Sequence, residues 1–374
     1  MRRSTDRILV SHAGTAPRPT DAADLVSAVK QVVRKQAEVG IDVVNDGELS
    51  KSNFTNYVRD RLAGIEPAAA DSELPPRNIN ARDLREFPEF FATGGGGFGR
   101  NRPGTPGIPS AFLQRMVVTG PITYIGEQTV RTDIANMQAA IEGLDVEPFL
   151  PAVAPGTVEH WLYNQHYATD EAFLFALADA LHAEYKAITD AGLNLQIDDP
   201  DLPDGWQMFP EMSVAEYQRY ATLRVDALNH ALRDIPVEQI RLHVCWGSGL
   251  GPHKNDLDLR DLIDVILRVK AQVYSIEAAN ARHQHEWRVW QDVKLPEGKS
   301  LMPGVISHAT DIIEHPRLIA DRLEQYADLV GKDNVIAGTD CGVGSRVWNG
   351  EIAWAKFAAM AEGARIASQE LWRR

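Results

Sequence analysis

Eight short apolar, β-branched runs recur along this chain, most of them followed by a stretch with apolar residues at helical spacing, and that alternation leaves few folds open. The runs fall at residues 7–11, 42–46, 116–119, 194–198, 241–245, 272–277, 301–306 and 334–338. Helical periodicity occupies residues 22–39, 170–191, 214–233, 259–270, 317–330 and 352–368. A strand that feeds a helix running back to the next strand makes a parallel sheet with crossover helices. Eight such units close on themselves, so the expected architecture is an α/β fold, a (β/α)8 TIM barrel, filling residues 1–374 as a single domain.

Two stretches break the rhythm and are expected as insertions after strands two and three. Residues 63–114 turn to Pro, Gly and charge, including the run Gly94-Gly95-Gly96-Gly97-Phe98-Gly99. No strand precedes that run and no Gly-Lys-Ser/Thr closes it, so a loop is preferred to a phosphate cradle. Residues 143–169 read as a long loop after the third strand. Both insertions follow strands, which places them over the carboxyl rim of a barrel, where active sites are built.

Composition narrows the partners. With 38 Lys and Arg against 52 Asp and Glu the net charge is −14, and no basic stripe offsets that field, so neither nucleic acid nor an anionic membrane is expected as a partner. A small molecule is. The basic start Met1-Arg2-Arg3 leads into too few apolar residues for a secretory signal, and no run approaches the roughly 18 apolar residues of a spanning helix. Two cysteines far apart in sequence make no disulfide framework, so the expected compartment is cytoplasmic, with the thiols free.

Those two cysteines stand where strands five and eight end, in His243-Val244-Cys245-Trp246-Gly247 and Thr339-Asp340-Cys341-Gly342, and Glu277 ends strand six. A lone cysteine is more often a buried filler than a ligand. Here, however, His243 and Cys245 are two residues apart on one strand and so point to the same side. With Glu277 and Cys341 they form one possible zinc set of imidazole, thiolate and carboxylate. Two thiolates and a carboxylate overcompensate a divalent zinc, leaving it poor at making hydroxide but suited to holding a substrate thiol as thiolate. The expected chemistry is transfer of an electrophilic carbon to sulfur.

Other polar residues share the same rim: Ser11 and His12 after strand one, Asp46 and Glu48 after strand two, Asp198 and Asp199 at strand four, Ser307 and His308 after strand seven. Asp46 and Asp201 are read as helix N-caps. His12, His253, His283 and His285 are read as loop or supporting histidines, since four ligands already satisfy zinc. Trp161, Trp206 and Trp246 are candidate platforms for a flat donor, against the commoner reading as packing area. Arg18, Arg282 and Arg346 are candidates for an acceptor's anionic group.

His243-x-Cys245, Glu277 and Thr339-Asp340-Cys341-Gly342, with Asp46-Gly47-Glu48, Thr119-Gly120-Pro121 and Gln196-Ile197-Asp198, resemble the C-terminal catalytic barrel of the cobalamin-independent methionine synthases. The likeness runs from about residue 8 to residue 369 and lacks only the extra N-terminal barrel of the full-length enzymes. Gly251-Pro252-His253, Ala279-Asn280-Ala281-Arg282-His283 and Glu314-His315-Pro316 are similar to a single-barrel branch that includes the epoxyalkane:coenzyme M transferases. The resemblance implies zinc on His243, Cys245, Glu277 and Cys341, an acceptor amino group held by Glu48 and Asp198, and His308 as proton donor. Ser11 and His12 are further substrate-binding candidates.

Three functions stay open at this point. The first is zinc-dependent methyl transfer to homocysteine or a related thiol. The second is an epoxide-opening transferase or lyase acting on coenzyme M, and the third a barrel that binds a thiol or metal without turnover. In every case the partners are a small-molecule thiol and, for an enzyme, an alkyl or methyl donor.

Overall fold

The computed structural model describes residues 1–53, 56–69, 71–75, 79–93, 114–247, 249, 251–344 and 346–373; the glycine run at 94–99 lies outside them. Eight parallel strands form the barrel: β1 (Leu9–Val10), β2 (Val43–Val44), β5 (Glu147–Val153), β7 (Asn194–Asp198), β8 (Ile240–Val244), β9 (Val273–Ile276), β10 (Ser300–Ile306) and β11 (Ile336–Thr339). They run in the order β1-β11-β10-β9-β8-β7-β5-β2, and a parallel bridge from Ser11 to Val43 closes the ring. Residues of β7 to β11 are buried throughout, as expected of parallel strands covered on both faces, and along β7 and β8 buried polar residues alternate with apolar ones.

The third barrel strand corrects the sequence reading. Met116 to Thr119, expected there, begins β4 (Met116–Tyr124), which pairs antiparallel with β3 (Leu62–Pro67) and parallel with β6 (Leu162–Asn164) in a separate three-stranded sheet. The barrel position belongs to β5, which the expected loop at 143–169 contained. Its sequence Glu-Pro-Phe-Leu-Pro-Ala-Val carries two prolines, which argue against a central strand. They disguised it. The barrel tolerates them in β5 itself, which pairs with both β7 and β2. The insertion after this strand therefore starts at Ala154.

One buried arginine ties the inserted sheet to the barrel. Arg61, where the chain enters β3, donates to Asp133 at 2.5 Å and to Glu184 at 3.1 Å, and Tyr124 of β4 donates to the other Glu184 oxygen at 2.8 Å. Asp133 and Glu184 lie on the helices Glu127–Ile141 and Asp170–Asp190, so a single guanidinium joins the sheet to two helices.

A second buried arginine fills the barrel below its rim. Arg241 on β8 donates to Gln196 and Ser11 at 2.8 Å and to the His12 carbonyl at 2.9 Å, and lies 3.9 Å from the Phe149 ring centre. Burial pushes its pKa down to about 9. His12 is held beside it, its Nε2 on Gln36 Oε1 at 2.7 Å and its ring against Phe149 and Phe357. Burial lowers the His12 pKa to about 4, against 6.5 when unfolded. The unfolded chain therefore takes up this proton first as pH falls, and stability is lost from about pH 6.5 down to about 4, roughly 2 kcal/mol of it between pH 7 and pH 5. Denaturant titrations at those two pH values should show His12→Gln losing about that much less than the parent. An equal loss in both proteins would remove His12 as the titrating group.

Candidate functional site

At the carboxyl rim the ring of strands opens into a cleft of about 690 Å³, counted out to its mouth, whose lining includes Glu48, Asp198, Asp204, His243, Cys245, Cys341 and Arg346. His243 is on β8, and Cys245 is the residue after it on the same side; Cys341 follows β11. Donor atoms of His243, Cys245 and Cys341 all lie within 4.8 Å of one another, and the two sulfurs are 3.7 Å apart. Both thiols are free. The pair competes for one proton. Cys245 donates to Cys341; that bond and burial raise the Cys245 pKa well above a thiol's usual value, and the same bond holds Cys341 well below it against the effect of burial.

The donor set fits a thiophilic cation. Two sulfurs about 2.3 Å from a tetrahedral centre stand about 3.8 Å apart, close to the separation found here. Among the described residues His243 Nε2 is buried without a hydrogen-bond partner, while Nδ1 is held by Ser275 Oγ at 3.0 Å. An unmatched ring nitrogen in a buried imidazole costs stability unless something else takes its lone pair, and an oriented Nδ1 is how a metal-binding histidine is usually fixed.

Glu277, the residue after β9, is the fourth expected ligand, and it sits at the side of this group. One carboxylate oxygen accepts from the Trp246 backbone N–H at 2.8 Å, and the other is bonded by Asn280. One of its oxygens groups within 4.8 Å with a ligand atom each of His308 and Asp340, and burial followed by the charge of Asp340 pushes its pKa up to about 8. Asp340 in turn accepts from the backbone N–H groups of Ala278 and Ala279 at 2.8 and 2.6 Å, which fixes the turn that carries Glu277. The approach leaves no room for a side chain opposite, since a Cβ on Gly304 would come within 2.0 Å of the Asp340 carboxylate. His308 is buried, its Nδ1 has no hydrogen-bond partner among the described residues, and it is not among the described residues that line the cleft.

Glu48 and Asp198 both line the cleft, as their strand ends suggested. Glu48 follows Gly47, and both take left-handed backbone, with φ of 68° and 57°. That conformation is ordinary for glycine but costs a glutamate of order 1–3 kcal/mol, a strain typical of functional positions. The Glu48 side chain lies so close to the backbone at Gly14 that a Cβ there would be 2.2 Å from Oε1. Asp198 is oriented by Gln196, two residues earlier on the same face of β7, whose amide donates to it at 2.7 Å and whose carbonyl takes the Arg241 guanidinium. Burial raises Glu48 to about 8 and Asp198 to about 6.

Several expected residues are elsewhere. Ser11 and His12 are committed to the barrel interior with Arg241 and Gln36; at this point the cleft is lined by Ala13 and Thr15 instead. Asp46 is not a helix N-cap, since it accepts from the Glu48 N–H inside the turn, and Asp201 bonds His160 at 2.9 Å within the helix Asp201–Met208. Asp199 turns from the cleft to Thr157. Trp206 lies beneath Arg82, and Trp246 stacks on His283, so only Trp161 of the three tryptophans reaches the cleft. His283 and His253 share Asp256 at 3.1 and 2.9 Å. Arg18 bonds the Leu49 carbonyl and Arg282 carbonyls of the 254–256 turn, leaving Arg346 as the arginine on the cleft. Asp204 was missed. It has no strand-end signal, being carried into the lining by the first turn of a short helix.

Comparison with known proteins adds to this geometry. Residues 110–365 match the family described as cobalamin-independent synthase, catalytic domain. A methionine synthase of Thermococcus kodakarensis is 24% identical over 346 residues, 91% of this chain and 82% of that protein. One from Sulfolobus acidocaldarius is 24% identical over 348 residues, 92% of this chain and 82% of that one. Among solved structures, a B12-independent methionine synthase from Shewanella sp. W3-18-1, in complex with selenomethionine, superposes with a TM-score of 0.71 at 20% identity, covering 98% of this chain and all of that one. A Listeria monocytogenes structure described as a vitamin-B12 independent methionine synthase superposes with a TM-score of 0.64 at 17% identity, covering 96% of this chain and 98% of that one. These structures share the barrel fold. Among the described residues no helix is long and apolar enough to cross a membrane.

Proposed function

We propose, from the premise that this chain belongs to the family of cobalamin-independent synthase catalytic domains, that it is a methyltransferase acting on a thiol, homocysteine or a close relative. The observation that carries the reading is the grouping of His243, Cys245 and Cys341 with an unpartnered Nε2 and a sulfur separation matched to tetrahedral zinc. Zinc would be held by those three and by Glu277, and when bound it keeps the acceptor's sulfur as a nucleophilic thiolate at neutral pH.

The remaining work falls to the protein's own side chains. Glu48 and Asp198 face the cleft and would take the acceptor's ammonium by charge-assisted hydrogen bonds, with Gln196 fixing the second of them. Arg346, which also lines the cleft, would meet the acceptor's carboxylate. Ser275 holds the His243 ring, and Asp340 fixes the turn that carries Glu277. A leaving group that requires a proton would draw it from His308, the buried imidazole beside Glu277. The same carboxyl groups count against coenzyme M, because they offer a sulfonate no positive charge where homocysteine brings them an amine.

X-ray absorption at the zinc edge, recorded before and after saturation with L-homocysteine, tests the reading. A further sulfur scatterer at about 2.3 Å is expected. An unchanged metal environment with saturating thiol would exclude activation by direct coordination, and with it the proposed chemistry.

A further inference from the structure

The two carboxyl groups assigned to the acceptor's amine come from different strand ends, and one buried cation is linked to both. Arg241, Gln196, Ser11 and His12 are all buried, and none of the four is among the described residues that line the cleft. A guanidinium carries donors only, so whatever faces it must accept. Arg241 Nε donates to Gln196 Oε1 at 2.8 Å, which turns the NH₂ of that side chain the other way, where it donates to Asp198 Oδ1 and to the Ala13 carbonyl, both at 2.7 Å. With the arginine gone, Oε1 would lose its donor and the amide one of the bonds that set its orientation.

The second arm runs through the end of β1. Arg241 donates from Nη1 to Ser11 Oγ at 2.8 Å and from Nη2 to the His12 carbonyl at 2.9 Å, and Ser11 Oγ donates on to the Val43 carbonyl of β2 at 2.9 Å. His12 Nδ1 accepts from the Gly14 N–H at 3.3 Å, so Nε2 carries the ring proton and donates to Gln36 Oε1 at 2.7 Å. Gln36 in turn donates to the Asn45 carbonyl at 2.8 Å and accepts from the Asn45 N–H at 3.0 Å, and Asn45 Oδ1 accepts from the Gly47 N–H at 2.9 Å. That is the turn which sets Glu48, whose carboxyl lies against Gly14.

We propose that Arg241 is a positioning residue for recognition of the acceptor's amine, fixing Asp198 through Gln196 and Glu48 through residues 11–14, so that both carboxyl groups converge on one ammonium. The inference rests on the amine-binding reading of Glu48 and Asp198 and adds the residue that enforces it. An ammonium presents its N–H donors in a tetrahedral array, and two acceptors take two of them only when their separation and direction are held. A loose pair gives up the bond energy that tells an amine from its absence. Burying a guanidinium is costly unless its donors are met, and a methionine would fill much of the same space. What a methionine cannot do is hold an amide, a hydroxyl and a carbonyl at once.

The experiment titrates the zinc-loaded protein calorimetrically with L-homocysteine and with 4-mercaptobutanoate, which keeps the thiol and the carboxylate and lacks the amine. The parent should bind homocysteine about tenfold or more the tighter. Arg241→Met and Gln196→Met should each lower that preference by about tenfold, through the homocysteine affinity alone, with zinc content and 4-mercaptobutanoate affinity unmoved. The double variant should lose no more than Arg241→Met does, since amide and arginine act in series. Parent-like preference in Arg241→Met would overturn the inference while leaving the amine reading in place, and so would equal weakening of both thiols, the mark of a loosened barrel. Losses that add in full would overturn it too, because the arginine would then act apart from the amide. Should Arg241→Met fail to fold, Gln196→Met decides the question alone, and parent-like preference there overturns the inference. A parent that binds the two thiols alike would instead bring down the amine reading, and this inference with it.

Discussion

Cys341→Ala is expected to lose its zinc and its methyl-transfer activity while keeping its fold. Four-ligand sites supply about 10–16 kcal/mol of binding free energy, so removing one thiolate should weaken the metal by roughly a hundred- to thousandfold. Activity should fall further, to the background rate, because a thiol left protonated is a poor nucleophile. The fold should survive because the barrel's core of strands and helices is extensive and closes without the cation, unlike a zinc finger. Loading the parent should also release protons, since Cys245 holds its proton in the metal-free pair. Metal analysis after gel filtration, with thermal unfolding of the same samples, checks both halves. Full metal content in the variant would remove Cys341 from the ligand set, and cooperative collapse would make the metal structural.

The sequence was legible where strands follow the ordinary pattern of a buried parallel sheet, and less so where they do not. Seven of the eight barrel strands were found as apolar runs, but β5 was hidden by Pro148 and Pro151. Its place was given to β4, whose Met-Val-Val start looks more like a barrel strand than β5 does. The cysteines were readable because His243 and Cys245 share a strand face and Cys341 ends another. Glu48 and Asp198 were readable for the same reason. What a strand-end rule could not show is direction beyond the strand. Ser11 and His12 end β1 yet turn into the barrel, because Arg241, a buried cation on β8, needs acceptors there. Asp204 reaches the cleft from a helix whose course depends on how residues 199–201 pack. Gln196 could have been found, since it lies two residues before Asp198 and side chains on a strand alternate with period two.

Asp198→Asn should separate the possible acceptors by charge. The asparagine keeps the volume of the aspartate, and its carbonyl can still accept from Gln196, which now donates to Asp198 at 2.7 Å. That hydrogen bond then turns the new NH₂ group toward the cleft, so an acceptor ammonium meets a donor where it had met a carboxylate oxygen. A charge-assisted hydrogen bond is worth about 1.5–3 kcal/mol, and its loss should lower kcat/KM for homocysteine on the order of tenfold to a hundredfold. A thiol without an amine makes no use of the carboxylate and should change little. Because Asp198 pairs in register with His243 across β7 and β8, zinc content must be measured on the same preparation. Equal loss with both thiols at full zinc would mean that Asp198 acts through the metal or the strand, and not on the acceptor. A parent enzyme that prefers coenzyme M to homocysteine would leave Glu48 and Asp198 without the ammonium assigned to them and return the epoxide-opening reaction to first place.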